Sequence, residues 1–376
     1  LIQTIGVIGG GQLGRMFSLD AKRMGYHVIV LDPQEHSPTG QVADEQIVAS
    51  YDDLAAIDDL GRRSDVVTYE FENIAIASVE LLEKRRHRVM PASTVLRITQ
   101  DRLLEKRFVR TCGIATADFA EVSSADDLSA AARTIGFPAV LKTVHGGYDG
   151  KGQWRANDLE DAKSAVEEAK GAKLIFERLV PFVCELSVVA TRDANDAVIT
   201  YPPAENTHDN GILVRSIAPA RVSDAIGRDA QNAAVTIGRR LGIVGTYCVE
   251  FFLTSDDTLL VNEIAPRPHN SGHYTMDATP CSQYEQHIRA ICGLPLSPPR
   301  MMSRAILCNI LGAGEGNVLH GVDKLLADPS IVLHMYGKRH APARRKMGHF
   351  TMLVDEVSEA AIGRAQAALA LLYWGK

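Results

Sequence analysis

Within residues 1–105 four short apolar runs, TIGVI, HVIVLD, EQIVA and DVVTYEF, alternate with the amphipathic stretches LGRMFSLDAKRMG and YDDLAAIDDLGRR. Runs this short and continuous are buried on both faces, and the stretches between them repeat their apolar residues at helical spacing. Strand–helix alternation of this kind folds as a mainly parallel sheet with helices packed on it. Gly25 stands just past the first helical stretch, where a left-handed cap ends a helix. The expectation is an α/β first domain over 1–105, Rossmann-like in topology.

The turn after the first run carries Gly9, Gly11 and Gly14 in the pattern G-x-G-x-x-G, and Asp32 closes HVIVLD 18 residues beyond Gly14. Such a turn with an acid about 20 residues on is a dinucleotide fingerprint. A glycine turn at a helix N-terminus also suits any phosphate or closely approaching ligand, so the motif does not by itself select a nicotinamide or flavin nucleotide.

Past residue 105 the pattern changes. The helical stretch QDRLLEKRFVRTCG is followed, from about Thr116 to Ser187, by a strand, the helix SADDLSAAARTIG, the strand PAVLKTV, a glycine-rich loop, the helix DLEDAKSAVEEAK and the strand KLIFERLV. ELSVVATRDANDAVITYP then reads as a hairpin turning at Asn195-Asp196, and the long helix DAQNAAVTIGRRLG leads into GTYCVEFFLTSDDTLLVNEIAP. Short strands and a terminal helix, SEAAIGRAQAALALLYW, complete the chain. At 376 residues more than one core is needed, and three regions are expected: 1–105, 106–300 with a subdomain at about 113–182, and 301–376.

Composition narrows the function. A net charge of −6 provides no overall basic field, which argues against a nucleic-acid partner and makes any anion site local. The six cysteines are scattered, with no C-x-x-C, as in a reducing cytoplasm rather than a disulfide framework or zinc site. No apolar stretch approaches the ~18 residues of a membrane span, and no secretory leader pattern opens the chain.

Four stretches carry chemistry. In VLKTVHGGYDGKGQWR, Gly146, Gly147, Gly150 and Gly152 crowd a loop between a strand and its hairpin partner, with Lys142 before it and Lys151 within it. Glycines there let backbone N–H groups turn toward a phosphate, although the Walker pattern is absent. In VEFFLTSDDTLLVNEI, a tight turn about Asp256-Asp257 pairs Ser255 with Thr258, so that facing residue numbers sum to 513. Glu250 then faces Glu263 on a face shared with Phe252, Val261, Thr254 and Leu259. Opposed carboxylates repel, and a hard cation between them, magnesium holding nucleotide phosphates, removes the penalty. Asn262 offers a neighbouring oxygen, whereas a three-residue turn would shift the register by one.

In APRPHNSGHY, Arg267 is placed to clamp a carboxylate or phosphate; His269 and His273 have zinc spacing only on a helix, which Pro266, Pro268 and Gly272 oppose. In YGKRHAPARRKMGH, Lys338, Arg339, Arg344, Arg345 and Lys346 crowd a loop suited to gripping one phosphate. No Ser-His-Asp or Cys-His nucleophile stands at a recognisable spacing.

These stretches, in this order, resemble the ATP-grasp superfamily, and within it the N5-carboxyaminoimidazole ribonucleotide synthetases of purine biosynthesis. The markers run along the whole chain: GGGQLGRM, TYEFENI, GGYDGKGQ, ELSVV, ENTHDNGIL, NEIAPRPHNSGH and RKMGH. The resemblance implies an ATP-grasp fold with a Rossmann-like N-terminal domain and a small C-terminal domain carrying the basic loop. It implies a cytoplasmic, homodimeric, ATP- and magnesium-dependent ligase. Bicarbonate would be activated as carboxyphosphate and its carboxyl unit passed to 5-aminoimidazole ribonucleotide. The formate-dependent glycinamide ribonucleotide transformylases are the alternative within the same fold; a nicotinamide-dependent oxidoreductase rests on the first 32 residues alone.

Residue by residue, the resemblance assigns ATP phosphate contacts to Arg102 and Lys142, and the phosphate lid to Gly147, Tyr148, Asp149, Gly150, Lys151, Gly152 and Gln153. It assigns the adenine hinge to Glu177, Arg178, Leu179 and Val180, a ribose acceptor to Glu185, further nucleotide contacts to His208 and Asn262, and metal ligation to Glu250 and Glu263. The ribonucleotide falls to Gln12, Leu13, Glu70, Tyr148, Asp149, Arg267, Asn270, Lys338, Arg345 and Lys346, with Arg267, Asp149 and Lys346 in catalytic roles and Asp149 as candidate base. The Gly9–Gly14 loop then faces the ribonucleotide, and Asp32 caps a turn. Arg344 stands where the family motif GRKMGH has glycine.

Overall fold

The computed structural model describes residues 2–147 and 152–375; Tyr148, Asp149, Gly150 and Lys151 of the expected lid lie outside the described residues. The apolar runs of the first region become β1 (Thr4–Ile8), β2 (His27–Leu31), β3 (Glu45–Ile47) and β4 (Val66–Tyr69), a wholly parallel sheet ordered β3-β2-β1-β4. Alternate residues serve opposite faces. Ile5, Val7, Val28 and Val30 pack on α1 (Gln12–Arg23) together with Tyr284, Ile288 and Ile291 from far along the chain. Ile8, Ile29, Leu31 and Val67 pack on α2 (Leu54–Arg63), α3 (Ile76–Lys84) and α4 (Ser93–Thr99). Gly25, at φ +87°, follows α1 as expected of its cap.

Asp101 caps α5 (Arg102–Thr111) by accepting the amides of Leu103 and Leu104. An antiparallel sheet follows: β5 (Phe119–Val122), β6 (Ala139–Thr143), β7 (Gln153–Ala156) and β8 (Leu174–Arg178), ordered β5-β8-β6-β7. Its buried face carries α6 (Ala125–Ile135) and α7 (Leu159–Glu168). Lys142 of β6 and Gln153 of β7 form the pair nearest the glycine loop, which therefore projects from a hairpin end.

Among the described residues the largest sheet has nine strands. It begins with β9 (Phe182–Arg192), β10 (Val198–Thr200), β11 (Ala204–Asp209) and β12 (Ile212–Ala218) and continues, after α8 (Asp224–Leu241), with β13 (Gly245–Thr254) and β14 (Leu259–Ala265). The short α9 (Thr275–Ala278) and α10 (Gln283–Cys292) lead to β15 (Arg304–Leu311); β16 (Val318–His320), α11 (Val322–Leu325), β17 (Ile331–Met335), β18 (Lys346–Val354), α12 (Glu359–Leu369) and β19 (Tyr373–Gly375) complete the chain. The order is β14-β13-β9-β11-β12-β15-β18-β17, with β10 beside β9. Strands β15, β18 and β17 thus extend the central sheet, because β15 pairs with β12, while β16 and β19 form a separate two-stranded sheet. The terminal helix is shorter than the apolar run suggests: it stops at Leu369, and β19 pairs with β16 while the Trp374 indole donates to Leu311 O at 2.7 Å. Among the described residues no helix is long and apolar enough to cross a membrane.

Candidate active site

The carboxylate pair exists, but by a different route from the one the turn predicts. The β13–β14 turn has three residues, Ser255 to Asp257, with Asp257 left-handed at φ +62° and the Thr254 amide donating to Thr258 O. Near the turn Leu253 faces Leu259, Phe252 faces Leu260 and Phe251 faces Val261, one residue off the tight-turn register. The register then shifts between Glu250 and Phe251, leaving Asn262 as the extra residue, and Glu250 faces Glu263. The bulge restores the pair, while Val261, expected on its face, turns into the core beside Phe251. The side-chain oxygen Oδ1 of Asn262 is buried without a hydrogen-bond partner among the described residues.

Cations converge on this hairpin. Arg102, the first residue of α5, reaches Glu263 Oε2 through Nη1 at 3.3 Å and Gly147 O through Nη2 at 3.2 Å. Lys142 Nζ lies 3.1 Å from Glu177 Oε2, and the buried Lys106 Nζ lies 3.5 Å from the same oxygen. Burial opposes the Glu177 charge, but Lys106, Lys142 and Arg102 hold the carboxyl down at about 2. The Glu177 side chain is thus committed to the lysines. Along the expected adenine hinge, the amides of Arg178 and Leu179 already donate to Asp118 O and Pro138 O. Val180 has no such backbone bond from its amide among the described residues and is the hinge donor left over. Gly152 and Gln153, on the described side of the lid, lead into β7, with Gly152 at φ +68° accepting the Thr143 amide.

Beside the pair, His269 Nε2 stands 3.0 Å from Glu250 Oε1. Burial opposes its charge, yet Cys248 and Glu250 raise the imidazole to about 10, while His269, His208 and Lys346 overcome burial to hold Glu250 at about 2. Glu185 and His208 come together, Oε2 to Nδ1 at 2.8 Å. Arg267 is gripped by Glu72, Nε and Nη2 both donating to its carboxylate, the second at 2.9 Å. Asn270 is buried in a reciprocal amide pair with Asn309, 3.1 and 2.6 Å, so its side chain joins loop to sheet. His269 and His273 do not share a helix: only Asn270–Gly272 form a turn of 3-10 helix, and His273 points to Tyr284 and Gln283.

The other wall comes from the first region and the basic loop. Glu70 accepts the amides of Gly11 and, at 2.7 Å, Gly14, so a protein carboxylate occupies the α1 N-terminus. A side chain at Gly9, where φ is +104°, would meet Glu70 Cγ at 2.5 Å, which explains that glycine without a nucleotide. Asp32 accepts from Gly10, Gln34 and the Tyr51 hydroxyl, a buried turn cap. Lys338 Nζ donates to Gln12 Oε1 at 2.7 Å and Lys346 O at 2.6 Å, and Leu13 packs into the cluster beneath α1. Arg345 donates to His340 O at 3.4 Å. Arg344 adopts φ +66°, the backbone a glycine would take, and its guanidinium turns to Asp209 at the β11–β12 hairpin, 3.0 Å away.

Asp277, His334 and His349 lie together below this wall, with ligand atoms within 4.8 Å of one another. They do not build a metal centre. The His334 and His349 rings are stacked, 4.7 Å apart and 19° from parallel, so their in-plane lone pairs run side by side instead of converging.

An ATP-grasp domain model matches residues 107–284, a ribonucleotide synthetase preATP-grasp domain matches 2–100, and a phosphoribosylaminoimidazole carboxylase C-terminal domain matches 305–362. The chain is 45% identical to N5-carboxyaminoimidazole ribonucleotide synthase of Bacillus subtilis over 357 residues, covering 95% of this chain and 93% of that protein. The chain belongs to the N5-carboxyaminoimidazole ribonucleotide synthase family. It is 43% identical to the Brucella melitensis synthase over 352 residues, covering 93% and 96%. Among solved structures, an ADP complex of a family member superposes with a TM-score of 0.91 at 44% identity, covering 98% of this chain and 96% of that one. The Aspergillus clavatus synthase with ADP and 5-aminoimidazole ribonucleotide superposes with a TM-score of 0.90 at 32% identity, covering 98% of each chain.

Four residues of this site have no role that the sequence alone assigns them. Glu72 stands within TYEFENI with nothing local to give it a role, and Lys106 and Glu105 sit in a helix whose periodicity marks them only as polar. For His269 the sequence shows only the zinc-like spacing to His273. Only packing shows that these groups face the carboxylate pair and Arg267. The donor set at the hairpin is all oxygen, Glu250, Glu263 and the unpartnered Asn262 Oδ1, which fits a hard cation such as magnesium.

Proposed function

We infer that the chain is an ATP-dependent ligase that joins the carboxyl unit of bicarbonate to the exocyclic amine of 5-aminoimidazole ribonucleotide, giving the N5-carboxylate, ADP and phosphate. The observation that carries this reading is one cluster of charges: the facing Glu250 and Glu263, Lys346 of the basic loop acting on Glu250, and the Glu72-held Arg267 acted on by Glu263. Bicarbonate is a poor electrophile, and a phosphoryl group converts its hydroxyl into a leaving group; the protein's contribution is positioning and charge neutralisation.

Arg102 and Lys142 are tied to Glu263 and Glu177, which hold their cationic ends extended along the phosphate path rather than free to wander. Magnesium held by Glu250, Glu263 and Asn262 would neutralise the phosphates when bound. His269 keeps a positive charge beside Glu250, and Arg267 offers remaining N–H donors to a planar oxyanion. Since Glu70 already fills the α1 N-terminus, the ribonucleotide phosphate goes to the basic loop of Lys338, Arg345 and Lys346. Glu185, His208 and the Val180 amide border the nucleoside of ATP. Asp149 is our assignment for the group that takes the amine proton, tested by the pH–rate profile of Asp149→Asn. A homodimer in the cytoplasm accords with the family and with six unpaired cysteines; light scattering tests the assembly.

The deciding experiment is ADP release with MgATP and bicarbonate, with and without 5-aminoimidazole ribonucleotide, set beside glycinamide ribonucleotide with formate. Stimulation by the aminoimidazole supports the assignment. Stimulation by the second pair alone moves the chain to the transformylases.

A further inference from the structure

We propose that Glu72 is the positioning residue for Arg267, holding the guanidinium so that its unused donors face the bicarbonate-derived group. The proposal rests on the reading above that Arg267 holds that group. Glu72 follows β4 of the first region, and Arg267 follows β14 of the central sheet, 195 residues later. Neither lies in regular secondary structure, so neither backbone alone dictates where the side chain points.

The pairing uses one edge of the guanidinium completely. Nε and Nη2 donate to the two carboxylate oxygens of Glu72, and Nη1 donates to Pro268 O at 3.2 Å. Among the described residues one N–H on each of Nη1 and Nη2 has no acceptor, the donors a second planar oxyanion needs. Both side chains are largely shielded, Arg267 16% and Glu72 22% exposed, which strengthens the pair and gives the guanidinium little room to rotate. Glu72 is itself braced: the Gln100 amide donates to Glu72 O and, at 2.7 Å, to Ile74 O. Burial opposes the Glu72 charge, and Arg267, then His269, hold its carboxyl below the usual range.

A carboxylate beside an anion-binding arginine weakens the local positive potential, so charge alone does not explain its presence. Orientation does. An arginine side chain carries about 2 kcal/mol of rotamer freedom, and a misplacement near 1 Å at a reacting centre costs up to about a hundred-fold in rate. The pair also joins the region bearing Glu70 and Gln12 to the loop bearing Arg267 and His269, so the two substrates are registered against each other through one fork.

The test is steady-state ADP formation with the aminoimidazole ribonucleotide by Glu72→Gln, Glu72→Asp, Arg267→Gln and the Glu72→Gln/Arg267→Gln double variant, with ADP affinity as the measure of an intact fold. Expected are a kcat loss of about ten- to a hundred-fold in Glu72→Gln, a KM for ATP within about two-fold of the parent, and an intermediate kcat in Glu72→Asp. In the Arg267→Gln background Glu72→Gln should cost nothing further. A parent-like kcat in both Glu72 variants overturns the proposal, as do losses that multiply in the double variant. If Arg267→Gln itself leaves bicarbonate-dependent ADP formation and its KM intact, the reading of Arg267 falls instead.

Discussion

Glu105 is a carboxyl group sealed behind the Glu250–Glu263 hairpin, 3% exposed, with Oε1 accepting the Ile264 amide at 2.7 Å. Burial first, and Glu263 second, push it up to about 8, against the pull of that amide, Lys106 and Arg102. The unfolded chain ionises it near 4.5, so between about pH 4.5 and about pH 8 the unfolded state carries fewer protons than the folded one. Stability from this group therefore falls as pH rises through that window, at about 1.4 kcal/mol per pH unit. Glu105→Gln keeps the acceptor and removes the titration. The variant should thus gain on the parent by about 3 kcal/mol between about pH 5 and about pH 8, since every other titrating group is common to both chains. Urea unfolding of metal-free protein reads this as a midpoint difference that widens with pH, by about 1 M for a slope near 3 kcal/mol/M. Parallel curves across that range would mean that Glu105 is ionised alongside Arg102 and Lys106, and the desolvation argument would be refuted.

Glu263→Gln, which leaves Glu250 as the only carboxylate of the facing pair, should reduce ADP formation by at least about a hundred-fold and raise the magnesium needed for half activity, measured by titrating magnesium at fixed ATP. Arg344→Gly exchanges a left-handed backbone cost of about 1 kcal/mol for a surface ion pair of similar size, so melting should move little, while freeing the loop from Asp209 raises the KM for the ribonucleotide a few-fold; an unchanged KM would remove Asp209 as an anchor. Asp32→Ala should destabilise by about 1–3 kcal/mol by orphaning the Gly10 amide, with the KM for ATP unchanged and no nicotinamide fluorescence change in parent or variant.

The site was legible where its residues are contiguous. The hairpin with its two glutamates, the glycine loop and the basic loop all announce themselves as local strings of unusual residue types. The register argument shows the limit: a two-residue turn was expected, three residues turn the chain, and the carboxylates still meet because Asn262 is squeezed out as a bulge. No local rule placed that bulge. It is imposed by packing, since Val261 and Phe251 go into the core while the glutamates stay on the site face. The glycine fingerprint shows the same limit: its motif does not select a ligand, and the amides of Gly11 and Gly14 are taken by Glu70, a residue 56 positions beyond Gly14.

From the sequence alone come the strand–helix alternation of the first region, the absence of a general basic field, the motifs that mark the family, and the arginine at 344 where the family motif has glycine. Each depends on neighbours in the chain or on composition, and local sterics and hydrophobic periodicity suffice to read it. The tertiary structure alone decided that β15, β17 and β18 join the central sheet, that Glu177 serves two lysines, that His269 stands beside Glu250, and that Glu72 grips Arg267 across 195 residues. Those pairings are between buried charges, and a buried charge takes whichever partner the fold delivers within hydrogen-bond reach, however distant it is along the chain.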